Sequence, residues 1–363
     1  MRILILANND VGLYKFRKEL LLELVKENEV YICLPDGEYV PNMVDLGTKF
    51  IPCTMLDRHG MNLFNEWKLL SFYHSVIKEY RPDVVLTYTI KPNIYGGLVC
   101  GRMHVPYIVN ITGLGTAVEN EGMLQKITTL LYKVGLKKAQ MVFFQNEENA
   151  KFMIQRGIVK GKHDLIPGSG VNLSSFPCLP YPDEHVIRFA FISRIMKEKG
   201  IDQYLEAADA IKRQYPNVEF HICGFCEKEY EGRLSEVNEA GTVVYHGMVD
   251  DISGFLQNIH CVVHPTYYPE GMSNVLLEAC ASGRPIITTN RAGCREIVDN
   301  EKNGYIIEPK NSDDLIVKIS KFMSLPYNDK VHMGEAGRIK VENEFDRNIV
   351  VNRYLQEVDK ICR

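Results

Sequence analysis

Two doubly wound α/β domains are the fold this sequence predicts, and three features predict it. Short apolar strands alternate with amphipathic helical stretches from residue 2 onward, the alternation stops in the Pro-rich stretch 174–182, and it restarts at Ile187. Proline fixes φ and has no amide to donate, so that stretch continues neither a helix nor a strand. The third feature is length. At 363 residues the chain exceeds the size at which one hydrophobic core stops growing. Hydrophobic residues at 45% and charged residues at 24% are ordinary for a soluble globular chain, and a net charge of −4 gives no electrostatic reason to expect nucleic acid. The opening apolar run Ile3 to Ala7 is cut off by Asn8-Asn9-Asp10, so it reads as a strand and not a signal peptide. No apolar run reaches eighteen residues, and a cytoplasmic chain without a membrane span is expected.

In the first half the strand-like segments are 2–7, 29–34, 49–53, 84–87, 106–111 and 141–144. Between the first two, Leu20, Leu21, Leu24 and Val25 gather on one side of a helix, and Leu69, Leu70, Tyr73, Val76 and Ile77 repeat that spacing before the fourth. Strands joined by crossover helices form a parallel sheet. The second half runs 187–193, 218–224, 243–245, 259–264, 286–289 and 304–307, with helices in most gaps. The expected domains are 1–178 and 187–346, with a last helix in 347–363 returning to the first domain. Ligands of such sheets bind outside the carboxyl ends of the strands, so two of them facing each other make a central cleft.

The most informative segment is Pro269 to Glu278, P-E-G-M-S-N-V-L-L-E. A buried strand, 261–264, precedes it, and Ser273 or Asn274 can cap a helix whose apolar side is Val275, Leu276, Ala279 and Cys280. Strand, Gly loop and helix start make an anion site, because the first helical amides lack partners and the helix dipole favours negative charge. Glu270 lies in the loop, free to reach what a phosphate carries, and Glu278 lies about one turn inside the helix. A capped helix with two unrelated carboxylates fits the same residues. A second segment weighs against that. Ser193-Arg194-Ile-Met-Lys197-Glu-Lys199-Gly200 places three cations between a strand exit and a helix start. Arg194 can fork onto two phosphate oxygens and Lys199 can act as a point charge, so a nucleotide diphosphate can span the two loops. The dinucleotide fingerprint G-x-G-x-x-G is absent after the first strand, which ends in Asn-Asn-Asp-Val-Gly12.

Cys223-Gly224-Phe225-Cys226 has redox or zinc spacing, but no second Cys or His pair accompanies it, and buried reduced thiols are expected. Gly224, just past a strand end, is read as a place where a ligand approaches the backbone. No D-x-D ends a strand; Asp250-Asp251 and Asp313-Asp314 read as N-caps. His59 and His264 read as structural or peripheral.

These motifs together, with Gly283-Arg-Pro-Ile-Ile-Thr-Thr289, Gly293 to Glu296 and Asn303-Gly304, resemble the donor domain of retaining GT-B glycosyltransferases of family 4. In the first half, Val11 to Arg17, Tyr88 to Gly96, Ile111 to Ala117 and Gly170-Val-Asn172 are similar to bacterial enzymes that assemble capsule, O-antigen or glycoprotein glycans on a polyprenyl diphosphate carrier. The resemblance covers essentially the whole chain. It implies transfer with retention of a hexose or N-acetylhexosamine from a nucleotide-sugar donor, UDP-linked, to a lipid-linked glycan, with no cofactor and no metal. Arg194 and Lys199 are then expected to clamp the donor diphosphate. Glu270 grips a sugar hydroxyl, and Gly271, Met272, Ser273 and Asn274 hold the distal phosphate or the sugar. Glu278 meets the ribose, while Gly224, His246, Gly247 and Met248 offer backbone to uracil. On the acceptor side Gly12, Lys91 and Thr112 are expected. Thr112 stands where many family members carry a His, which removes one general-base candidate. A GT-B UDP-sugar epimerase and a non-catalytic sugar-nucleotide binding protein are the alternatives. Leu124, Ile127, Leu131 and Val134 fall on one side of segment 123–138, with Lys126, Lys133 and Lys137 beside them, so this segment is expected to rest on an anionic membrane surface from the cytoplasmic side.

Overall fold

The computed structural model describes residues 1–56, 63–115, 118 and 122–362, divided between two compact units. The first comprises residues 1–170 and 347–363, the second residues 171–346.

In the first unit the described strands form one parallel sheet in the order β3-β2-β1-β4-β5-β6-β7. They are β1 (Arg2–Leu6), β2 (Glu29–Leu34), β3 (Lys49–Pro52), β4 (Val84–Tyr88), β5 (Tyr107–Ile111), β6 (Met141–Phe144) and β7 (His163–Leu165). Every pairing is parallel. One face is covered by α1 (Asp10–Val25) and α2 (Val40–Asp45). The other carries α3 (Leu63–Tyr80), a π-helical turn (Pro92–Gly96) that runs into α4 (Gly97–Met103), then α5 (Met123–Gly135) and α6 (Glu147–Gln155). Both faces are sealed, so the central strands β4, β5 and β6 are buried at every position, including the polar Thr87 and Asn110 within their mainly apolar sequences. The order reverses between β1 and β4, the switch point at which such sheets open for ligands.

In the second unit the sheet order is β10-β9-β8-β11-β12-β13. Its strands are β8 (Ile187–Ile192), β9 (Val218–Cys223), β10 (Val244–Tyr245), β11 (Cys261–His264), β12 (Ile286–Thr289) and β13 (Gly304–Ile307), again all parallel. The helices α7 (Ile201–Gln214), α8 (Glu231–Glu239) and α11 (Ser312–Met323) join one core. The other face is covered by α9 (Ile252–Leu256) and α10 (Asn274–Ala281). The helix α12 (Tyr327–Glu344) gives Met333 to the first of these cores and Val341 to the second.

The first unit ends at Gly170 and not at residue 178. Residues 171–180 belong to the second unit because their backbone is bonded there. Val171 N–H donates to Phe345 O at 2.8 Å, and the fully buried Arg284 guanidinium donates to Pro180 O at 2.8 Å and Leu179 O at 3.3 Å. The last helix, α13 (Arg347–Cys362), lies in the first unit. Arg347 bonds Glu19 Oε2 at 2.8 Å and Gly170 O at 3.1 Å, and Val350, Val351, Tyr354 and Val358 join the core beneath α1. The expected strands agree with the observed ones to within two residues. The exception is β7, whose His-Asp-Leu sequence has no apolar pattern because it is a half-exposed edge strand.

Candidate functional site

Arg194, Gly224 and the loop before α10 follow the carboxyl ends of β8, β9 and β11, three neighbours in the second sheet. The turn that carries Lys199 is pressed against the end of β11. It is a single 3₁₀ turn, Lys197–Lys199, closed by Gly200 at φ +81°. A Cβ on Gly200 would lie 2.1 Å from Pro265 O, so glycine is needed both for the conformation and for the approach. Glu198 O ties the turn down by accepting from Tyr267 N–H at 2.8 Å and from Thr266 Oγ1 at 3.3 Å.

This anchoring brings Lys199 Nζ onto Glu270 Oε1, with the two side chains only 13% and 16% exposed. The ammonium also stands 4.9 Å from the centroid of the Tyr268 ring. His264, the last residue of β11, is 2% exposed, and its Nε2 lies 3.9 Å from the same Glu270 oxygen, beyond hydrogen-bond range. Among the described residues neither ring nitrogen of His264 has a hydrogen-bond partner. Burial works to raise the Glu270 pKa, but Lys199 and His264 outweigh it and hold it at about 2. Burial pushes the His264 pKa down, with Lys199 adding to the effect and Glu270 opposing it.

Glu270 is therefore not a free carboxylate, as its place in a loop suggests, but the buried partner of a lysine. The same pairing gives acid sensitivity a definite sign. Glu270 has a folded pKa below the ordinary glutamate value of 4.5, so its contribution is complete above about 4.5 and is lost as pH falls towards 2. His264 is depressed below 6.5, so its contribution is complete above 6.5 and declines as the unfolded chain takes up the proton. Urea unfolding from pH 7 to 3 is expected to show falling stability, and Glu270→Gln is expected to flatten the part below 4.5; an equal acid slope in both proteins would contradict this reading.

Other expected residues are placed differently. Met272 is buried in the core with Leu276 and Leu277, so its side chain is structural. Ser273 stands at the N-cap of α10, but its side chain makes no capping bond and its N–H donates to Gly293 O at 2.7 Å. Asn274 Oδ1 is buried without a partner, and Glu278 is half-buried one turn into the helix. At Gly224 the backbone itself requires a glycine. At φ +140° its missing Cβ would lie 1.9 Å from Ser193 O, and its N–H donates to Gly247 O at 2.8 Å. The glycine serves the close approach of the β8 and β9 exits. His246 donates its N–H to Ile222 O and stacks on His221, with ring nitrogens 2.9 Å apart. Met248 is exposed. Arg194 is half-exposed and makes a 3.5 Å contact with Glu227, outside the buried Lys199 and Glu270 pair.

In the first unit Gly12, Lys91 and Thr112 follow the carboxyl ends of β1, β4 and β5, which are neighbours. Gly12 spends its N–H on the cap of α1, donating to Asn9 Oδ1 at 2.6 Å. Lys91 is paired with Glu66 of α3 at 2.7 Å. Thr112 is half-buried. His59 and part of the Ile111 to Ala117 motif lie outside the described residues. Asp251 caps α9 by accepting from Gly254 N–H at 2.8 Å, but Asn311, and neither Asp313 nor Asp314, caps α11. Burial raises the Cys223 and Cys226 pKa values, Cys223 to about 12, so neither is a reactive thiolate. Among the described residues no cluster of three His, Cys, Asp or Glu side chains could hold a metal.

Two parallel α/β units with an ion pair at the strand exits of the second define a GT-B protein. The model for glycosyl transferases group 1 matches residues 182–340, and that for glycosyl transferase 4-like domains matches residues 2–146. The capsular polysaccharide biosynthesis glycosyltransferase CapM of Staphylococcus aureus is 32% identical, with 96% of this chain and 93% of CapM aligned. The N,N'-diacetylbacillosaminyl-diphospho-undecaprenol alpha-1,3-N-acetylgalactosaminyltransferase of Campylobacter jejuni is 28% identical over the full length of both. Among solved structures, Anabaena HepE in complex with UDP superposes with a TM-score of 0.80 at 16% identity, covering 99% of this chain and all of HepE. The chain belongs to the GT-B glycosyltransferases of this group 1 and 4-like family.

The sequence pattern misses two things here. It does not pair Lys199 with Glu270, which are 71 residues apart. It also sets His264 aside, although a polar residue ending an apolar strand six positions before Glu270 is a signal that could have found it.

Proposed function

We propose that the chain transfers a sugar, with retention, from a UDP-sugar to a glycan on a polyprenyl diphosphate carrier. The observation that supports this most is the buried Lys199 and Glu270 pair at the carboxyl edge of the second sheet. A donor diphosphate competes with Glu270 for Lys199, and the carboxylate so released accepts a hydrogen bond from a sugar hydroxyl. Arg194, half-exposed and weakly held, is able to swing onto the same diphosphate. As the bond from the anomeric carbon to phosphate breaks, both cations neutralise the charge growing on the leaving group. The acceptor oxygen bonds the anomeric carbon on the same face, and its proton goes to the departing phosphate oxygen. No metal and no cofactor take part in this reading, and Glu270 positions rather than attacks.

Two relatives favour the substrates. The Campylobacter enzyme's name gives a diphospho-undecaprenol-linked acceptor, and HepE holds UDP. A thermal-shift screen tests the donor half: UDP and UDP-sugars are expected to raise Tm. A Tm unmoved by every nucleoside diphosphate would contradict it.

Lys91 is the cation we assign to the acceptor's phosphate. Lys91→Ala is expected to raise the acceptor KM about tenfold, the loss of one charged contact of roughly 1.4 kcal/mol, with UDP affinity unchanged. Equal loss of UDP binding would contradict the division of labour.

A lipid-linked acceptor also needs the enzyme at a membrane, and we propose that α3 and α5 rest on an anionic bilayer. Both start at the carboxyl edge of the first sheet, on the same face. Thr128 and Tyr132 of α5 face the core and Leu131 packs on it, which corrects the expected stripe. The apolar side chains left exposed are Met123, Leu124, Ile127, Leu130 and Val134, together with Phe64 and Trp67 of α3, the last 66% exposed. Lys68, Lys126, Lys133 and Lys137 are exposed beside them, and no acid occurs from Met123 to Gln145. Among the described residues no helix is long and apolar enough to cross a membrane, so attachment is at the surface. Trp67 is the single tryptophan of the chain, so its emission reports on this face alone. Vesicles containing phosphatidylglycerol are expected to shift it to the blue, and phosphatidylcholine alone or high salt to abolish the shift. No shift with either vesicle, or one that tracks protein concentration without lipid, would overturn it.

A further inference from the structure

The switch point of the first sheet, between β1 and β4, holds a cluster of buried polar groups. Arg17 of α1 is 4% exposed, and its guanidinium lies over the ring of Tyr88, the last residue of β4, at 5.2 Å from the centroid and over that of Tyr354 on α13 at 5.9 Å. Both rings hold the cation by cation–π attraction but leave its in-plane N–H donors to find acceptors. Nη1 donates to Phe16 O at 2.9 Å; among the described residues Nε is enclosed without a partner and Nη2 makes no bond. The acids of α1 are committed elsewhere, Asp10 to Tyr39 N–H, Glu19 to Arg347 and Glu23 to Lys26. Burial keeps the Tyr88 and Tyr354 phenols protonated although Arg17 opposes it, so neither ring supplies a counter-charge. Asn110 Nδ2 donates to Tyr354 Oη, whereas Tyr88 Oη is enclosed without a partner among the described residues. The same is true of Oγ1 of the next residue, Thr89, whose φ is +73°. Buried polar groups are ordinarily bonded and buried charges ordinarily paired, so one cation and two hydroxyls left over at a single strand exit suit an anion.

We propose that Arg17, Tyr88 and Thr89 bind one phosphate of the acceptor's diphosphate while Lys91 binds the other, and that this second contact selects a diphosphate carrier over a monophosphate one. The inference rests on the proposed transfer reading, in which the acceptor lies on this sheet. Lys91 follows Thr89 by two residues, so its loop and the Arg17 guanidinium meet at the exit of β4. The guanidinium forks onto two phosphate oxygens, and the Tyr88 and Thr89 hydroxyls donate to the same group. A phosphate thus supplies the negative charge and the in-plane acceptors that the two rings do not. A carrier with one phosphate satisfies Lys91 and leaves the Arg17 donors as they were, which is the source of the discrimination.

The test gives the whole protein a panel of UDP-sugars and the same short saccharide on two carriers, polyprenyl diphosphate and polyprenyl monophosphate, and compares kcat/KM for the two acceptors. Wild type is expected to prefer the diphosphate by at least about tenfold. Arg17→Gln is expected to bring the ratio close to one, chiefly by raising the KM for the diphosphate acceptor, with UDP affinity unchanged. Should that variant fail to fold, Tyr88→Phe decides. It keeps the ring under the guanidinium and removes only a hydroxyl without a bond, so Tm is expected to hold while the ratio falls several-fold. Equal loss with both acceptors would mark these residues as structural. That result, an unchanged ratio in the variants, or a wild type that uses both carriers equally, overturns the role of Arg17 and leaves the transfer reading standing. If wild type transfers sugar to neither carrier, the transfer reading falls and this inference with it.

Discussion

Lys199→Ala is expected to abolish sugar transfer, lowering kcat by at least about a thousandfold, or roughly 4 kcal/mol of transition-state stabilisation. The charge removed faces the place where the leaving diphosphate gathers negative charge, in a site with little competing water. The substitution also removes the Lys199 cation from the buried Glu270. Breaking a buried pair by deleting one partner costs about 3–5 kcal/mol of stability, so unfolding must be measured beside turnover. Two further variants separate the effects. Glu270→Gln in the Lys199→Ala background removes the opposing buried charge and is expected to restore much of the stability but none of the activity. Lys199→Arg keeps the charge and is expected to retain folding and UDP binding. Recovery of transfer in the stabilised double variant would show that Lys199 is structural only.

The second large effect is expected at Gly200, which has no side chain to offer a substrate. Gly200→Ala puts a side chain at φ +81° and 2.1 Å from Pro265 O. The left-handed conformation costs roughly 1–2 kcal/mol and relief of the overlap about as much again, so a loss of about 3 kcal/mol is expected. The turn must lift away from β11, and Lys199 goes with it. Turnover is expected to fall by two orders of magnitude or more, although every charged group is still present, because a displacement of about 1 Å at a catalytic group is enough. Chemical denaturation and steady-state kinetics on the same sample check both halves. A variant that keeps wild-type kcat would show that the close approach of the Lys199 turn to β11 is unimportant.

Much of the fold was legible because its signals are local. The buried strands β4, β5 and β6 are mainly apolar, and α1 and α3 carry apolar positions at helical spacing, so a reading by periodicity finds them. The edge strand β7 has no such pattern and was missed. The unit boundary was displaced because proline marks where regular structure stops, whereas membership of a unit is decided by long-range bonds such as those from Arg284 to residues 179 and 180. The site divides in the same way. Glu270, Lys199 and the α10 start were legible from their motifs, but the pairing of the first two depends on Gly200 meeting Pro265, a contact across 65 positions. Gly224 shows the converse: the sequence marks a glycine after a strand, and only the fold shows that a Cβ there would meet Ser193 O.

The central claim is that this chain moves a sugar from a UDP donor to a polyprenyl diphosphate-linked acceptor while keeping the anomeric configuration. The most direct measurement incubates the protein with a panel of UDP-sugars and a short polyprenyl diphosphate-linked saccharide, follows UDP release, and reads the new linkage by NMR. The expected result is UDP release that requires the acceptor, one glycosylated lipid product, and an anomeric coupling matching that of the donor. UDP release independent of acceptor, no release with any donor, or an inverted linkage would contradict it.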